Sequence, residues 1–118
     1  MLLEKPIIYL KSLRGETMKI GVPKEIKNKE SRVGLVPAGV RQLVQDGHQL
    51  YVETKAGSEI GISDDEYVTA GATILPSLEE VFAQAEMIIK VKEPQPREIA
   101  CLKPHHILYT YLHLAADV

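Results

Sequence analysis

The chain has 118 residues, 45% of them hydrophobic and 25% charged, and its 14 basic and 16 acidic side chains leave a formal net charge of −2. That length allows one compact domain that buries roughly two-thirds of its unfolded surface, and the ordinary charged fraction argues against disorder. The balanced charge removes any general electrostatic case for a nucleic-acid partner or an acidic membrane surface.

Residues 1–17 do not fit a secretory signal, because Glu4 and Lys5 interrupt the apolar run and no small-residue cleavage site follows. Met18 opens a better-patterned sequence, so we expect the true start to lie there. We interpret residues 1–17 as an N-terminal extension, flexible rather than packed on a partner chain. No apolar run approaches the ~20 residues of a membrane span.

From Met18 onward, strand and helix signals alternate. Residues 19–23 (KIGVP) predict a short apolar strand that ends at proline. A helix is predicted to begin at Pro37, where a proline suits the first turn, and to end at Gly47. Residues 49–53 (QLYVE) predict the next strand, and a glycine-containing loop follows at residues 56–62.

The second half continues this alternation. Ser63 and Ser77 each match the Ser-x-x-Glu capping box of a helix start, on either side of a short strand at residues 72–75. Residues 87–91 (MIIKV) and 107–112 (ILYTYL) are the strongest strand runs, and residues 96–102 predict a short helix between them. Strands separated by short helices predict an α/β fold, with a mainly parallel sheet and helices on both faces. Residues 87–91 are expected to form a buried central strand.

Polar side chains follow three of these strands, at the edge where parallel sheets bind ligands. They are the loop 24–32, which ends at Arg32, then Lys92, and then His113. A guanidinium can hold a carboxylate through two hydrogen bonds, and an ammonium can polarise a carbonyl. An imidazole can move a proton near neutral pH. Together these groups suit a small 2-oxo or 2-amino acid.

Each of these features also has a plain structural interpretation. A basic loop that includes Glu25 and Glu30 is typical of a solvated surface. Lys92 could extend out of the core on its aliphatic stem, and His113 between two leucines is typical of a core or surface histidine. Spacing alone leaves both interpretations open.

Other candidate sites receive little support. His105 and His106 would point to opposite faces of an extended strand, so no metal site is expected, and Cys101 is expected to pack as a small hydrophobe. A single cysteine cannot form an internal disulfide, which favours a cytoplasmic location. The chain has no Gly-x-Gly-x-x-Gly fingerprint for a dinucleotide.

Four segments carry a resemblance to a known family. They are KIGVPKEIKNKESRVGLVPAGV (residues 19–40), DGHQLYVETKAGSEIGISDDEYVTAGA (46–72), KVKEP (90–94) and LHLAA (112–116). In this order and spacing they resemble the amino-terminal part of bacterial NAD-dependent alanine dehydrogenases. Proton-translocating transhydrogenases and saccharopine dehydrogenases share the Gly-x-Pro-x-Glu and Glu-x-Arg-Val patterns, but KVKEP together with LHLAA favours the alanine enzyme.

The resemblance implies a Rossmann-like N-terminal domain and a role for each candidate. It implies that Arg32 binds the carboxylate of pyruvate or L-alanine, and that Lys92 contacts the substrate carbonyl or amino group. It implies that His113 performs acid–base catalysis. The family reaction is the reversible oxidative deamination of L-alanine by NAD to pyruvate and ammonia.

Members of that family are much longer, with NAD and a catalytic aspartate in a later domain. We therefore expect residues 18–118 to be a substrate domain without the nucleotide-binding domain, truncated, inactive alone and with no cofactor bound. Because the family forms hexamers, a homo-oligomer is expected. The alternatives are a non-catalytic 2-oxo-acid-binding or oligomerisation module, or a remnant with no function.

Overall fold

In the computed structural model, which describes residues 15–110, five short strands alternate with four α-helices. The strands are β1 (Lys19–Val22), β2 (Gln49–Glu53), β3 (Thr73–Leu75), β4 (Met87–Lys90) and β5 (Ile107–Thr110). The helices are α1 (Pro37–Gln45), α2 (Asp64–Ala70), α3 (Leu78–Gln84) and α4 (Pro96–Ile99), and a turn of 3₁₀-helix spans Ser58–Ile60. Among the described residues, no helix is long and apolar enough to cross a membrane.

The helix starts follow the local signals in the sequence. Pro37 occupies the first turn of α1, and Gly47, at φ 101°, follows the end of that helix. Ser63 caps α2 with both bonds of a capping box, since its side chain accepts the Glu66 N–H and the Glu66 side chain accepts the Ser63 N–H. At α3, the Ser77 hydroxyl accepts the Glu80 N–H at 3.2 Å. These three predicted helix starts are confirmed.

All strand pairings in the sheet are parallel, in the order β3-β2-β1-β4-β5. The predicted α/β class is therefore confirmed. β4 lies inside the sheet between β1 and β5, and all four of its residues are buried, as expected for an interior strand. Because β1 and β4 are parallel neighbours, the segments that follow them leave the sheet side by side.

Helices cover both faces of the sheet. On one face, alternate residues of β1, β2 and β4 pack against α1 and α2 in a core that includes Ile20, Val52, Ile89, Val40 and Tyr67. On the other face, Ile88 packs against Leu78 and Phe82 of α3. A Cβ at Gly21 would lie 2.8 Å from the Ala85 Cβ, so α3 rests directly on β1. Burying side chains of this size contributes about 1.5–3 kcal/mol each.

Some expectations are shortened or lie outside the described residues. The helix predicted over residues 96–102 ends at Ile99. The strand predicted over residues 107–112 is described only as far as Thr110, and His113 lies outside the described residues. Residues 1–14 of the expected extension also lie outside them. His105 is in a turn before β5 and its ring lies 4.3 Å from that of His106, so the argument from an extended strand does not apply.

Candidate functional site

The loop between β1 and α1 lies directly against the end of β4. A Cβ at Gly34 would be 2.6 Å from the carbonyl oxygen of Ile89 and 2.8 Å from the Cα of Lys90. Real side chains essentially never approach so closely, so only glycine allows this contact between the two backbones. The close approach fixes the loop that carries Arg32 beside the strand that leads to Lys92.

Arg32 and Lys92 meet on one carboxylate, that of Glu30. The Nε and Nη2 of Arg32 donate to Oε2 and Oε1 of Glu30 at 3.0 and 3.1 Å. The Nζ of Lys92 lies 3.7 Å from the same Oε1. The structure therefore brings together two of the three side chains that the sequence predicted at this edge.

The carboxylate lies beneath the two cations. The side chain of Glu30 is 3% exposed, whereas those of Lys92 and Arg32 are 27% and 58% exposed. The interpretation of Glu30 as part of a solvated surface loop is therefore wrong, because the loop folds inward against β4. Two positive groups and one negative group leave a local charge of one positive unit, which suits a singly charged anion.

The hydrogen bonds shift the protonation equilibria of this group. The bond from the Arg32 guanidinium holds the pKa of Glu30 below its ordinary value, the nearby Lys92 acts in the same direction, and burial opposes both. The same pairing raises the pKa of Arg32. Glu30 therefore stays ionised at neutral pH and holds the guanidinium in one orientation.

Among residues 15–110, that orientation leaves part of the guanidinium without a hydrogen-bond partner. Glu30 engages the Nε and Nη2 edge of Arg32. A guanidinium has five N–H groups in one plane, so the edge formed by Nη1 and Nη2 can donate two parallel hydrogen bonds to a second carboxylate. The site can thus hold a carboxylate on Arg32 while Lys92 reaches a polar atom next to it.

A second charged cluster lies below this pair and is fully buried. The Nζ of Lys90 lies 2.9 Å from Oε1 of Glu25 and 3.4 Å from Oε2 of Glu98, and the three side chains are at most 1% exposed. Glu25 also accepts the N–H groups of Val91 at 2.7 Å and Lys92 at 3.2 Å. Lys90 donates to the Lys92 carbonyl oxygen at 2.9 Å.

The sequence analysis missed this cluster. It left open whether the loop that includes Glu25 and Glu30 is a solvated surface, and for Glu25 that alternative is wrong because the residue is 5% exposed. One signal was available, since Lys90 ends an otherwise apolar strand and a buried lysine needs an acidic partner. The identity of the partner was not readable locally, because Glu25 is 65 positions away along the chain.

Glu98 is the least satisfied member of this cluster. Its Oε1 accepts the Gln95 N–H at 2.7 Å. Its Oε2, within the described structure, accepts no hydrogen bond and faces only the Lys90 ammonium at 3.4 Å. Burial raises the pKa of Glu98, and the Gln95 N–H and Lys90 lower it by less.

His106 and Cys101 make contacts that belong to the fold. The Nδ1 of His106 accepts the Lys103 N–H at 2.8 Å, which leaves Nε2 to donate to the Phe82 carbonyl at 2.8 Å. Cys101 packs against the α3 cluster, in accordance with the prediction of a small hydrophobe, and its thiol lies 3.6 Å from the Arg97 carbonyl. Across residues 15–110, no group of three or more potential ligands is arranged to hold a metal ion.

The described residues do not fit a dinucleotide. In a dinucleotide-binding domain, the turn after the first strand presents glycine N–H groups to the pyrophosphate. Here the segment after β1 places the carboxylates of Glu25 and Glu30 at the sheet edge, both at most 8% exposed. That segment has no glycine before Gly34, so within residues 15–110 the turn after β1 lacks the glycine N–H groups that a pyrophosphate-binding turn presents.

Comparisons with known proteins show which family the chain resembles. The family model described as "Alanine dehydrogenase/PNT, N-terminal domain" matches residues 21–118. The chain is 57% identical over 100 residues to an alanine dehydrogenase of Methanococcus maripaludis, and the aligned region covers 85% of this chain and 27% of that protein. It is 54% identical over 99 residues to an alanine dehydrogenase of Geobacillus stearothermophilus, and this aligned region covers 84% of this chain and 27% of that protein.

Solved structures show the same likeness. An L-alanine dehydrogenase superposes with a TM-score of 0.78 at 52% identity, over 84% of this chain and 27% of that one. A transhydrogenase from Sinorhizobium meliloti superposes with a TM-score of 0.73 at 28% identity, over 78% of this chain and 26% of that one. The chain spans about a quarter of the length of the relatives that it matches.

Proposed function

The chain belongs to the family of the alanine dehydrogenase/PNT N-terminal domain, and from this premise we propose that it supplies the substrate-binding part of an oxidoreductase that interconverts L-alanine and pyruvate with NAD. In this proposal residues 18–118 form the substrate domain, and NAD is held by residues outside those described. The observation that carries the proposal is the meeting of Arg32 and Lys92 on the buried Glu30. These cations come from two separate motifs, Glu-Ser-Arg-Val and KVKEP.

The two cations bind different groups of the substrate. Arg32 binds the carboxylate through the edge that Glu30 leaves free, which fixes the position and plane of that group. Lys92 then contacts the 2-oxo oxygen of pyruvate or the 2-amino group of alanine. The ammonium stabilises negative charge on the oxygen, and its stem is shielded because the side chain is 27% exposed.

His113 is proposed to exchange a proton with the same substrate atom. Its support is the strand register, in which Thr110 of β5 pairs with Lys90 of β4. Lys92 follows Lys90 by two positions and His113 follows Thr110 by three, and the carboxyl ends of parallel strands lie at one edge of a sheet. A histidine titrates near neutral pH, which suits proton transfer in both directions of a reversible reaction.

Titration with pyruvate tests the proposed site. In two-dimensional NMR spectra of the chain, we expect saturable shifts of the Lys92 amide and the His113 ring, and we expect Arg32→Ala to abolish them. Lys24→Ala is the matched control, because it removes a cation from the same loop. The Nζ of Lys24 lies 3.8 Å from Glu59 and takes no part in the pairing with Glu30. Equal pyruvate affinity in the Arg32→Ala and Lys24→Ala variants would contradict the proposal.

A second candidate is capture of 2-oxo acids without turnover. The observation in its favour is that residues 15–110 do not fit NAD. A spectrophotometric assay with L-alanine and NAD separates the two candidates when the remaining domain of a relative is added as a separate protein. NADH production that requires Arg32 supports the oxidoreductase, whereas pyruvate binding without NADH production supports capture. Turnover by the purified chain alone would contradict the assignment of NAD to other residues.

We further propose a homo-oligomer in the cytoplasm. The oligomer is proposed from the family resemblance, since the exposed apolar side chains of Val68 and Ile99, 53% and 56% accessible, lie on separate helices. The free Cys101 thiol supports a reducing compartment. Sedimentation velocity tests the oligomer, and a single monomeric species across the concentration range would contradict it.

A further inference from the structure

The peptide groups around Lys92 are held by buried charged side chains. Glu25 accepts the N–H groups of Val91 and Lys92 at 2.7 and 3.2 Å. Lys90 donates to the Lys92 carbonyl oxygen at 2.9 Å and is paired with Glu25 at the same distance. Both polar groups of the Lys92 backbone are thus bound to one buried ion pair.

Stability alone is a poor explanation for this ion pair. Removing an ammonium and two carboxylates from water is unfavourable, and replacing a buried ion pair by apolar residues is often neutral or stabilising. Within residues 15–110, by contrast, the last strand pair of β4 joins Lys90 to Thr110, two positions before Lys92. At the next two positions, the described backbone contacts come from the Lys90–Glu25 pair.

We propose that Glu25 and Lys90 are positioning residues for Lys92, which they hold so that its ammonium meets the substrate next to Arg32. This inference rests on the proposed function, in which Lys92 contacts the 2-oxo group. With both backbone groups of Lys92 fixed, only its side-chain torsions remain to be ordered when substrate binds. The ammonium stays near Oε1 of Glu30, and therefore near the guanidinium.

Glu98 provides a matched comparison within the same cluster. Like Glu25, it is a fully buried carboxylate beside the Lys90 ammonium, but within the described structure it contacts Lys90 and the Gln95 N–H and makes no hydrogen bond to Lys92. Glu25→Gln and Glu98→Gln change charge, volume and burial in the same way. Glu25→Gln leaves one acceptor oxygen for the Lys90 ammonium and the N–H groups of Val91 and Lys92, whereas Glu98→Gln changes no acceptor of the Lys92 N–H, so a difference between the two variants reports on positioning.

Two ligands separate the parts of the site. Pyruvate and propionate share a carboxylate for Arg32, and only pyruvate has a 2-oxo oxygen for Lys92. By isothermal titration calorimetry we expect the unaltered chain to prefer pyruvate by about tenfold, as for a hydrogen bond from a charged donor. Glu25→Gln is expected to bring this preference close to one while propionate affinity is kept, and Glu98→Gln to leave it unchanged. A general loss of structure would weaken both ligands equally.

Amide hydrogen exchange supplies a measurement that needs no ligand. We expect the Lys92 amide to exchange at least about tenfold faster in Glu25→Gln than in Glu98→Gln, relative to the Ile88 amide in the same spectra. If Glu25→Gln folds poorly, Glu25→Gln combined with Lys90→Met removes the ion pair as a unit, and the same increase in exchange is expected.

The two measurements distinguish the possible failures. A pyruvate preference that persists in Glu25→Gln overturns the positioning role and leaves the proposed function intact. No pyruvate preference in the unaltered chain contradicts the proposed function, and the exchange rates then decide whether the Lys92 backbone is held. Equal Lys92 exchange in the two glutamine variants overturns the inference.

Discussion

Replacing Gly34 by alanine is expected to separate the two halves of the candidate site. The added Cβ would lie 2.6 Å from the Ile89 carbonyl oxygen, whereas ordinary contacts begin at 3.4 Å. The loop must therefore move away from β4 by roughly 0.8 Å, because backbone atoms on both sides cannot rotate aside. Arg32, two residues before Gly34, moves with the loop, whereas Lys92 stays with the strand.

The expected effect has two parts. Overpacking of this kind costs about 1–3 kcal/mol of unfolding free energy, measurable by urea denaturation. A displacement approaching 1 Å between paired binding groups is expected to weaken pyruvate binding about tenfold, or about 1.4 kcal/mol. Both values come from the same variant, so stability and affinity are compared in one preparation.

Gly39→Ala is the matched control, five positions along the chain. Its Cβ would meet the Cδ1 of Leu35 at 2.6 Å, but this is the end of a flexible side chain that can rotate. Alanine also suits the interior of α1, so we expect unfolding free energy within about 1 kcal/mol of the parent and unchanged pyruvate affinity. If Gly34→Ala matches Gly39→Ala in both measurements, the close backbone approach does not hold Arg32 near Lys92.

Three further predictions concern the polar groups around the site. The pKa of Glu30 is held below 4.5, so its charge stabilises the fold above that pH and this contribution is lost as the pH falls further; Glu30→Gln is expected to flatten the acid limb of the urea-denaturation profile. Burial raises the pKa of Glu98 above its ordinary value of 4.5, so the folded chain loses stability as the pH rises from below 4.5 through the pKa of Glu98 in the folded state. Glu98→Gln is expected to remove this loss from the pH profile of unfolding free energy, and an unchanged profile would refute the role of burial. The Tyr67 hydroxyl donates to the Leu35 carbonyl at 2.8 Å, and Tyr67→Phe is expected to cost about 0.5–1.5 kcal/mol of unfolding free energy, whereas a value near zero would show that water replaces the bond.

Part of the candidate site was accessible from the sequence because the ends of parallel strands meet. The rule places the loop after β1 and the residue after β4 at one edge, and Arg32 and Lys92 are found there on either side of Glu30. The roles of these two residues and of His113 stay predictions. The rule does not say how deep each side chain lies, which is why a solvated loop stayed open as an interpretation for Glu25 and Glu30, both of which are buried.

The elements themselves depend on short-range signals, and these are written in the sequence. A proline at the start of α1, a Ser-x-x-Glu pair at α2 and the apolar run of β4 act within a few residues, so each can be interpreted without knowing its neighbours. The alternation of such elements was enough to determine a parallel α/β sheet.

The tertiary structure alone decided which charges are buried and what they bind. The Lys90 ammonium finds Glu25 across 65 positions, and the contact exists only because β1 and β4 are neighbours in the sheet. Strand order and burial arise from the packing of the whole domain, and no local pattern encodes them. Lysines and glutamates in similar sequence contexts can therefore be solvated in one place and form a buried ion pair beneath a binding site in another.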